Sequence, residues 1–289
     1  MTQSPVLVVG ATGNFGSRLG RKLAAAGGRP PALVRTPEKA EAIAALAAPV
    51  IGDLLAPETL APAFQGADRV FVLGQPTPQI EALERNAIEA AVAAGARRIV
   101  YLSNFTAREG SELLPMHVHG LHERLLQTLG VDWTVLRPTR FMSSVPFVWR
   151  SVVNNGLLLE PTGAGRMTFA DPDEVALVAA RALTEDGHEG QTYRLTSEDC
   201  YTPADLAAVL SKVLGRDIRI FDGDVDALRE ALIANGAPGE QAPVMAKYFG
   251  MAAAGLYVTT DTLGTLLGRR PRGFAEWLPE NLPAALRAA

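Results

Sequence analysis

Apolar positions along this chain fall into short unbroken runs, separated by longer stretches with helical spacing. The first run, Val6-Leu7-Val8-Val9, passes straight into Gly10-Ala11-Thr12-Gly13-Asn14-Phe15-Gly16, after which the pattern is amphipathic to about Leu23. A short apolar run bounded by turn residues predicts a strand buried on both faces; a 3.6-residue period predicts a helix. Similar runs at 31–34, 49–53, 69–73, 98–102 and 133–137 read as five further strands. Between them, helices are expected at 37–47, 57–65, 78–95 and 115–129, the last two stopped by Gly95 and Gly130. Strict alternation of strand and helix through residue 138 predicts an α/β protein with a doubly wound parallel sheet.

The pattern changes after residue 139. Phe141, Met142, Phe147 and Trp149 crowd one stretch, 157–159 reads as a strand, and 161–165 reads as a loop. A helix at 173–183 and a strand at 192–195 follow. Thr202-Pro203-Ala204-Asp205 has the form of a helix start, with Thr202 as N-cap, Pro203 at the first position and Asp205 at the third. Residues 224–235 and 240–254 have helical patterns. The expected organisation is a core over 1–155, with 168–198 returning to it, and a smaller C-terminal α/β lobe over 199–289 that covers the carboxyl edge of the sheet.

The first turn carries the clearest chemistry. Glycines between a strand and a helix allow a sharp turn and let a pyrophosphate approach the helix N-terminus, where free N–H groups and the positive dipole end await it. In open parallel sheets ligands bind beyond the carboxyl ends of the strands. At the end of the second strand, where NAD sites place Asp or Glu against the ribose hydroxyl, this chain has Arg35. A cation there suits the 2′-phosphate of NADP, and Lys39 lies one helical turn further on.

Composition narrows the class. A net charge of −4 and a pI near 5.7 argue against a nucleic-acid-binding surface. No run of eighteen apolar residues is present, so no transmembrane helix is expected, and the N-terminus lacks the basic start of a signal peptide. Cys200 is the single cysteine, which excludes an intramolecular disulfide and a Cys-based metal site. These features suit a cytoplasmic protein, monomeric or homodimeric, that acts on a small molecule.

Several motifs together resemble the NmrA-like, atypical short-chain dehydrogenase/reductase family nearly end to end. They are Gly10 to Gly16, Val34-Arg35, Gly52-Asp53, Tyr101-Leu102-Ser103, His119-Gly120-Leu121-His122-Glu123, and Trp133 to Pro138 with Phe141-Met142. The segment Gly268-Arg269-Arg270-Pro271 resembles the family's closing Gly-Arg-x-Pro. The resemblance implies an NAD(P)-binding Rossmann domain with a small substrate lobe. Its members include NADPH-dependent quinone and dye reductases, pathway reductases, and redox-sensing regulators. Carried over by position, it implies Gly10, Thr12, Gly13, Asn14, Phe15 and Gly16 at the phosphates, Arg35 at the 2′-phosphate, and Asp53 and Leu54 at the adenine. Leu73, Gly74 and Gln75 would meet the ribose, and Ser103 or Asn104 the nicotinamide side. Pro138, Thr139 and Phe141 would pack on the nicotinamide ring.

Conventional short-chain reductases use a Tyr-x-x-x-Lys pair, in which the Lys depresses the Tyr pKa so that the phenol serves as an acid. Four residues after Tyr101, Tyr193, Tyr201, Tyr248 and Tyr257 stand Phe105, Ser197, Asp205, Ala252 and Asp261, so the pair is absent. The equivalent helix offers His119 with Glu123 one turn on. An imidazole titrates near neutrality, so His119 is the candidate proton donor or substrate anchor, with a structural histidine held by Glu123 as the other reading. His117 and His122 are expected on other faces, at the surface, and no metal site is expected. Phe141, Met142, Phe147, Trp149, Tyr248 and Phe249 are candidates for an apolar substrate pocket, with Met245 and Met251 beside them. The expected function is therefore NADPH-dependent hydride transfer to an aromatic, quinone-like or conjugated carbonyl or imine compound. The alternative is a non-catalytic NADP-binding redox sensor.

Overall fold

Residues 5–27, 29–143, 146–161, 163–253 and 255–281 are described from a computed structural model, without the side chains of 146–147 and 250–253. The chain begins with β1 (Val6–Val8), α1 (Asn14–Ala25), β2 (Pro31–Val34), α2 (Pro37–Ile43) and β3 (Ala48–Ile51). A single 3₁₀ turn, Pro57–Thr59, leads into α3 (Leu60–Phe64); β4 (Arg69–Val72), α4 (Ile80–Ala93), β5 (Arg98–Leu102), α5 (Leu114–Leu126) and β6 (Asp132–Pro138) follow. Next come β7 (Arg140–Phe141), α6 (Pro146–Asn155), β8 (Leu157–Leu158), β9 (Met167–Ala170), α7 (Pro172–Thr184) and β10 (Gln191–Leu195). The rest is β11 (Cys200–Tyr201), α8 (Pro203–Leu214), β12 (Arg219–Ile220), α9 (Val225–Ala234), α10 (Ala242–Ala253), α11 (Thr262–Leu267) and α12 (Phe274–Asn281).

The chain divides into two units, Met1–Pro138 with Pro172–Leu195, and Thr139–Asp171 with Thr196–Ala289. The first holds a seven-stranded sheet of order β10-β6-β5-β4-β1-β2-β3, parallel at every pairing. Strand order reverses between β1 and β4, the switch point at which open α/β sheets bind ligands. One face of the sheet presents Leu7, Val9, Val70, Val72, Ile99 and Tyr101 to Leu60 and Phe64 of α3, Ala87, Ile88 and Ala91 of α4, and Leu126 of α5. On the other face Phe71 stacks on Phe15 of α1 at 5.6 Å between ring centroids, and α1 packs against α7. An ion pair from Arg18 to Asp173 joins those two helices. Burial on both faces accounts for apolar runs rather than alternation in the sequence.

The second unit carries a three-stranded sheet of order β11-β9-β7 and a parallel pair, β12 with β8. Arg140 and Phe141 pair with Phe169 and Ala170. That pairing begins the second unit directly after β6, whereas the sequence pattern had suggested a core running to 155. Residues 168–171 likewise lie in the second unit, and the return to the first spans Pro172–Leu195.

The start at Thr202 caps α8 as the sequence predicts. Asp205 N–H donates to Thr202 Oγ1 at 3.2 Å, and Thr202 N–H donates to Asp205 Oδ2 at 2.8 Å. Thr202→Ala is expected to lower unfolding stability by about 1 kcal/mol, read as a lower denaturant midpoint with an unchanged slope; an unchanged midpoint would show that the cap contributes nothing.

Candidate cofactor site and the groups beside it

The three glycines of the first turn do three different jobs. Gly10 has φ of +82°, which L side chains rarely adopt, and a Cβ there would lie 2.8 Å from Leu73 O. Gly16 faces the turn from inside α1, where a Cβ would collide with Gly10 O and Ala11 Cα; it allows helix and strand to pack closely. Gly13 is the N-cap of α1 with ordinary extended angles and no side-chain cap, and the nearest atom to a Cβ there is Gly10 O at 3.3 Å. No acidic side chain stands in the first turn of α1. The result is an exposed helix N-terminus whose backbone N–H groups are suited to an anion. Thr12, Gly13 and Asn14 are exposed there. The Phe15 ring is buried on Phe71.

Arg35 follows β2 and is exposed, with no hydrogen-bond or ion-pair partner among the described residues. Thr36 caps α2 by accepting the N–H of Lys39, which is also exposed. Beyond β3, Asp53 Oδ1 accepts the N–H of Leu55 at 2.9 Å, and Asn86 Nδ2 donates to Leu54 O at 2.6 Å. Leu73, Gly74 and Gln75 follow β4; Leu73 and Gly74 are half-buried and Gln75 is exposed. Gly74 N–H donates to Glu84 Oε1 at 3.0 Å, and a Cβ at Gly74 would lie 2.5 Å from Glu84 Cγ.

After β5, the Ser103 hydroxyl is buried and donates to Glu123 Oε1. Asn104 Oδ1 accepts from Thr106 N–H at 3.0 Å and Thr106 Oγ1 at 2.9 Å, which leaves its amide nitrogen. Pro138 is buried, and its carbonyl accepts Phe105 N–H at 2.9 Å.

Four polar side chains meet where α4, β5 and α5 pack. Glu84, on α4, is wholly buried; its Oε2 accepts from Tyr101 OH at 2.5 Å and pairs with His122 Nδ1 at 3.0 Å. Tyr101 OH is also 2.6 Å from His119 Nδ1. Burial alone would raise the Glu84 pKa, but the charge of His119 and hydrogen bonds from His119, His122 and Tyr101 outweigh it and lower the value to about 2. Burial, and then the Glu84 charge, hold the Tyr101 phenol well above its ordinary value.

Two expectations are corrected here. His119 does not pair with Glu123, which is engaged by Arg137 Nε at 2.8 and 3.1 Å and by Ser103. His122 is not a surface residue but wholly buried, because three-residue spacing puts it on the same face of α5 as His119, toward Glu84. His119 keeps 10% of its side chain accessible. His117 is half-buried and accepts Gly110 N–H at 2.9 Å. Among the described residues, no group of three His, Cys, Asp or Glu is placed to hold a metal ion.

The remaining candidates lie in the second unit. Thr139 is buried, with no partner for its Oγ1 among the described residues, and Phe141 is half-buried. Met142 and Trp149 line a hollow with Phe169, Leu206, Leu210 and Phe274, and Trp149 stacks on Phe274 at 6.1 Å. Tyr248 and Phe249 line a second hollow with Met167, Thr168 and Tyr257. Both hollows share Arg140 and Glu160, a buried ion pair whose guanidinium sits 4.6 Å from the Phe249 ring centroid. Burial raises the Glu160 pKa, with Arg140 opposing. Phe147 and Met251 lie outside the described side chains. Sequence reasoning missed Glu84 and the Arg140–Glu160 pair, and weighed Tyr101 only as a catalytic phenol. A Tyr inside an apolar strand run and a Glu on the inner face of an amphipathic helix were the available signals.

A doubly wound parallel sheet with an open glycine turn at its switch point defines a dinucleotide-binding protein. Residues 10–186 match the model of a family described as NAD(P)H-binding, and the chain belongs to that family. It is 32% identical to the NAD(P)H azoreductase of Xenophilus azovorans over 96% of this chain and 98% of that protein. It is 30% identical to quinone oxidoreductase 2 of Escherichia coli over 94% of this chain and 96% of that protein. The crystal structure of Citrobacter sp. triphenylmethane reductase complexed with NADP(H) superposes with a TM-score of 0.87 at 28% identity, covering 96% of this chain and 100% of that one.

Proposed function

We propose that this protein is an NADPH-dependent reductase of aromatic, quinone-like or conjugated carbonyl or imine small molecules. The observation that carries the reading is the open turn at Gly13 together with an Arg35 at the end of β2 that has no partner among the described residues, in a chain similar over nearly its whole length to an NAD(P)H azoreductase and a quinone oxidoreductase. When bound, NADPH supplies a hydride. The turn from Gly10 to Gly16, at the N-terminus of α1, holds the pyrophosphate, and Arg35 holds the 2′-phosphate by a charge-assisted contact. Asp53 and Leu54 take the adenine, and Leu73 to Gln75 take the ribose. The Asn104 amide, Pro138, Thr139 and Phe141 serve the nicotinamide end. Met142, Trp149, Tyr248 and Phe249 supply apolar surface for the substrate, and His119 gives a proton to it or anchors it.

The missing Tyr-x-x-x-Lys pair fits a substrate that takes hydride readily, for which positioning does most of the work. A cytoplasmic monomer or homodimer is the accompanying reading. The lone Cys200 suits a reducing compartment, and among the described residues no helix is long and apolar enough to cross a membrane.

The test is NADPH consumption against quinones, enones, imines and azo dyes, with cofactor affinity measured in parallel. Turnover of at least one class is expected; tight NADPH binding with no turnover across the panel would instead mark a redox sensor. With a turned-over substrate, His119→Ala is expected to lower kcat by about 100-fold or more if it is the general acid, with little change in NADPH affinity. Unchanged kcat would remove His119 from the chemistry.

A further inference from the structure

The buried cluster around Glu84 fixes more than its own packing. Tyr101 has one hydroxyl proton, and it goes to Glu84 Oε2 at 2.5 Å. Its oxygen therefore faces His119 Nδ1, 2.6 Å away, as an acceptor, so that Nδ1 must carry a proton. His122 donates its Nδ1–H to the same Glu84 oxygen at 3.0 Å, and its Nε2 is buried with no partner among the described residues. A second proton on His122 would be a buried donor with nothing to accept it, so His122 serves as a fixed donor to Glu84. His119 differs: with Nδ1 committed to Tyr101, its Nε2 is the nitrogen left to exchange a proton.

The other carboxylate oxygen, Oε1, accepts the N–H of Gly74, next to Leu73 and Gln75. Glycine is needed at 74 because a Cβ would lie 2.5 Å from Glu84 Cγ. One buried carboxylate thus touches both the turn assigned to the ribose and the donor set of His119. The groups facing His119 are Glu84 from α4 and Tyr101 from β5; His122, on the same helix, meets the same Glu84 oxygen. Glu123 is neutralised by Arg137 of β6.

We propose that Tyr101 and Glu84 are positioning residues for His119, holding its Nδ1 protonated so that Nε2 delivers the proton, and tying that arrangement to the turn at Gly74. This rests on the reading of His119 as proton donor. In the step, the His119 Nε2–H bond breaks and a bond from that proton to the substrate forms, at the atom left electron-rich by hydride uptake. The ring becomes neutral with its Nδ1–H still on Tyr101, and solvent returns a proton to Nε2. The two-electron reduction is balanced by the hydride from NADPH and this proton.

The test joins imidazole spectroscopy to kinetics. In ¹⁵N-labelled protein at a pH where His119 is neutral, long-range ¹H–¹⁵N correlation is expected to show Nδ1–H with bare Nε2, the less common tautomer of a free imidazole. Tyr101→Phe removes the acceptor and is expected to move His119 to the Nε2–H or a mixed tautomer. It should lower kcat about tenfold, a part of what general acid catalysis supplies, with the KM for NADPH within about twofold. Glu84→Gln leaves one carbonyl oxygen for Gly74 N–H and Tyr101 OH to share, so it should disturb the tautomer and raise the KM for NADPH together.

A wild-type protein with the proton on Nε2 alone would overturn the proposal without any variant, which covers a Tyr101→Phe that fails to fold. So would a Tyr101→Phe with unaltered tautomer and kcat. If His119→Ala leaves kcat unchanged, the proton-donor reading falls, and the delivery of a proton from Nε2 falls with it. If His119→Ala is slow but Tyr101→Phe is silent, His119 stands and the positioning does not.

Discussion

Gly13→Val is expected to abolish binding of NADPH and NADH together while leaving the protein folded. The three glycines of the turn look equivalent in sequence, but the structure separates them. A Cβ at Gly10 is strained by its φ of +82°, and one at Gly16 meets backbone atoms of the turn itself. Substitution at either attacks the packing of α1 on β1. At Gly13 the backbone angles are open to any residue, and Gly10 O at 3.3 Å is the nearest atom to an added Cβ. The space a valine would fill is otherwise the approach to the helix N-terminus. A pyrophosphate held by backbone N–H groups cannot reach them past a branched side chain. An affinity loss above about 100-fold, roughly 2.7 kcal/mol, is expected for both cofactors, measured by fluorescence titration. The thermal midpoint should stay within about 3 °C, the shift of less than 1 kcal/mol in a domain of this size. Gly16→Val serves as the contrast and should fail to fold or melt far earlier. Normal affinity in Gly13→Val would leave the turn a packing device.

The difference between these glycines shows where sequence reading succeeds and where it stops. The strand–turn–helix at 6–23 was legible because everything in it is local: an apolar run, three glycines and an amphipathic stretch. The succession of six strands with helices between them followed from the same local patterns, and Arg35 stood out because its position is set by the end of β2. Strands of two residues such as β7 and β11 carry no period of their own; they exist because Phe169 and its neighbours pair with both. The helix α6 was read only as a crowd of aromatic residues.

The cluster around Glu84 was missed for a related reason. His119 and Glu123 have the spacing of a helical pair, but α5 lies against two other elements. Arg137 from β6 takes Glu123, while Tyr101 and Glu84, 18 and 35 residues before His119, take the imidazole. Helical spacing says which side chains share a face; which element packs against that face decides the partners. Testing each tyrosine for a following lysine asked about one known acid and passed over a tyrosine whose value lies in accepting a hydrogen bond.

Arg35→Glu is expected to separate the two cofactors, weakening NADPH by at least about tenfold and sparing NADH. Arg35 is exposed directly after β2, and no acidic partner among the described residues holds its guanidinium. Its charge is therefore available to a phosphate, and no hydrogen bond or ion pair among the described residues depends on it. Losing one charge-assisted hydrogen bond is worth roughly 1.5–3 kcal/mol, which corresponds to about a tenfold to 150-fold change in affinity. The introduced carboxylate adds repulsion against the 2′-phosphate, and it places at the end of β2 the acidic group that NAD sites use for the ribose hydroxyl. NADH lacks the phosphate and should bind as well as before or better. Because the contact is exposed, the NADPH penalty should shrink as ionic strength rises and the Debye length falls. Lys39→Glu, one turn into α2, should produce a smaller effect in the same direction. The measurement is the ratio of NADPH to NADH dissociation constants in wild type and variant at two salt concentrations. Equal loss of both cofactors would place Arg35 away from the 2′-phosphate, and an unchanged ratio would give the selectivity to another cation.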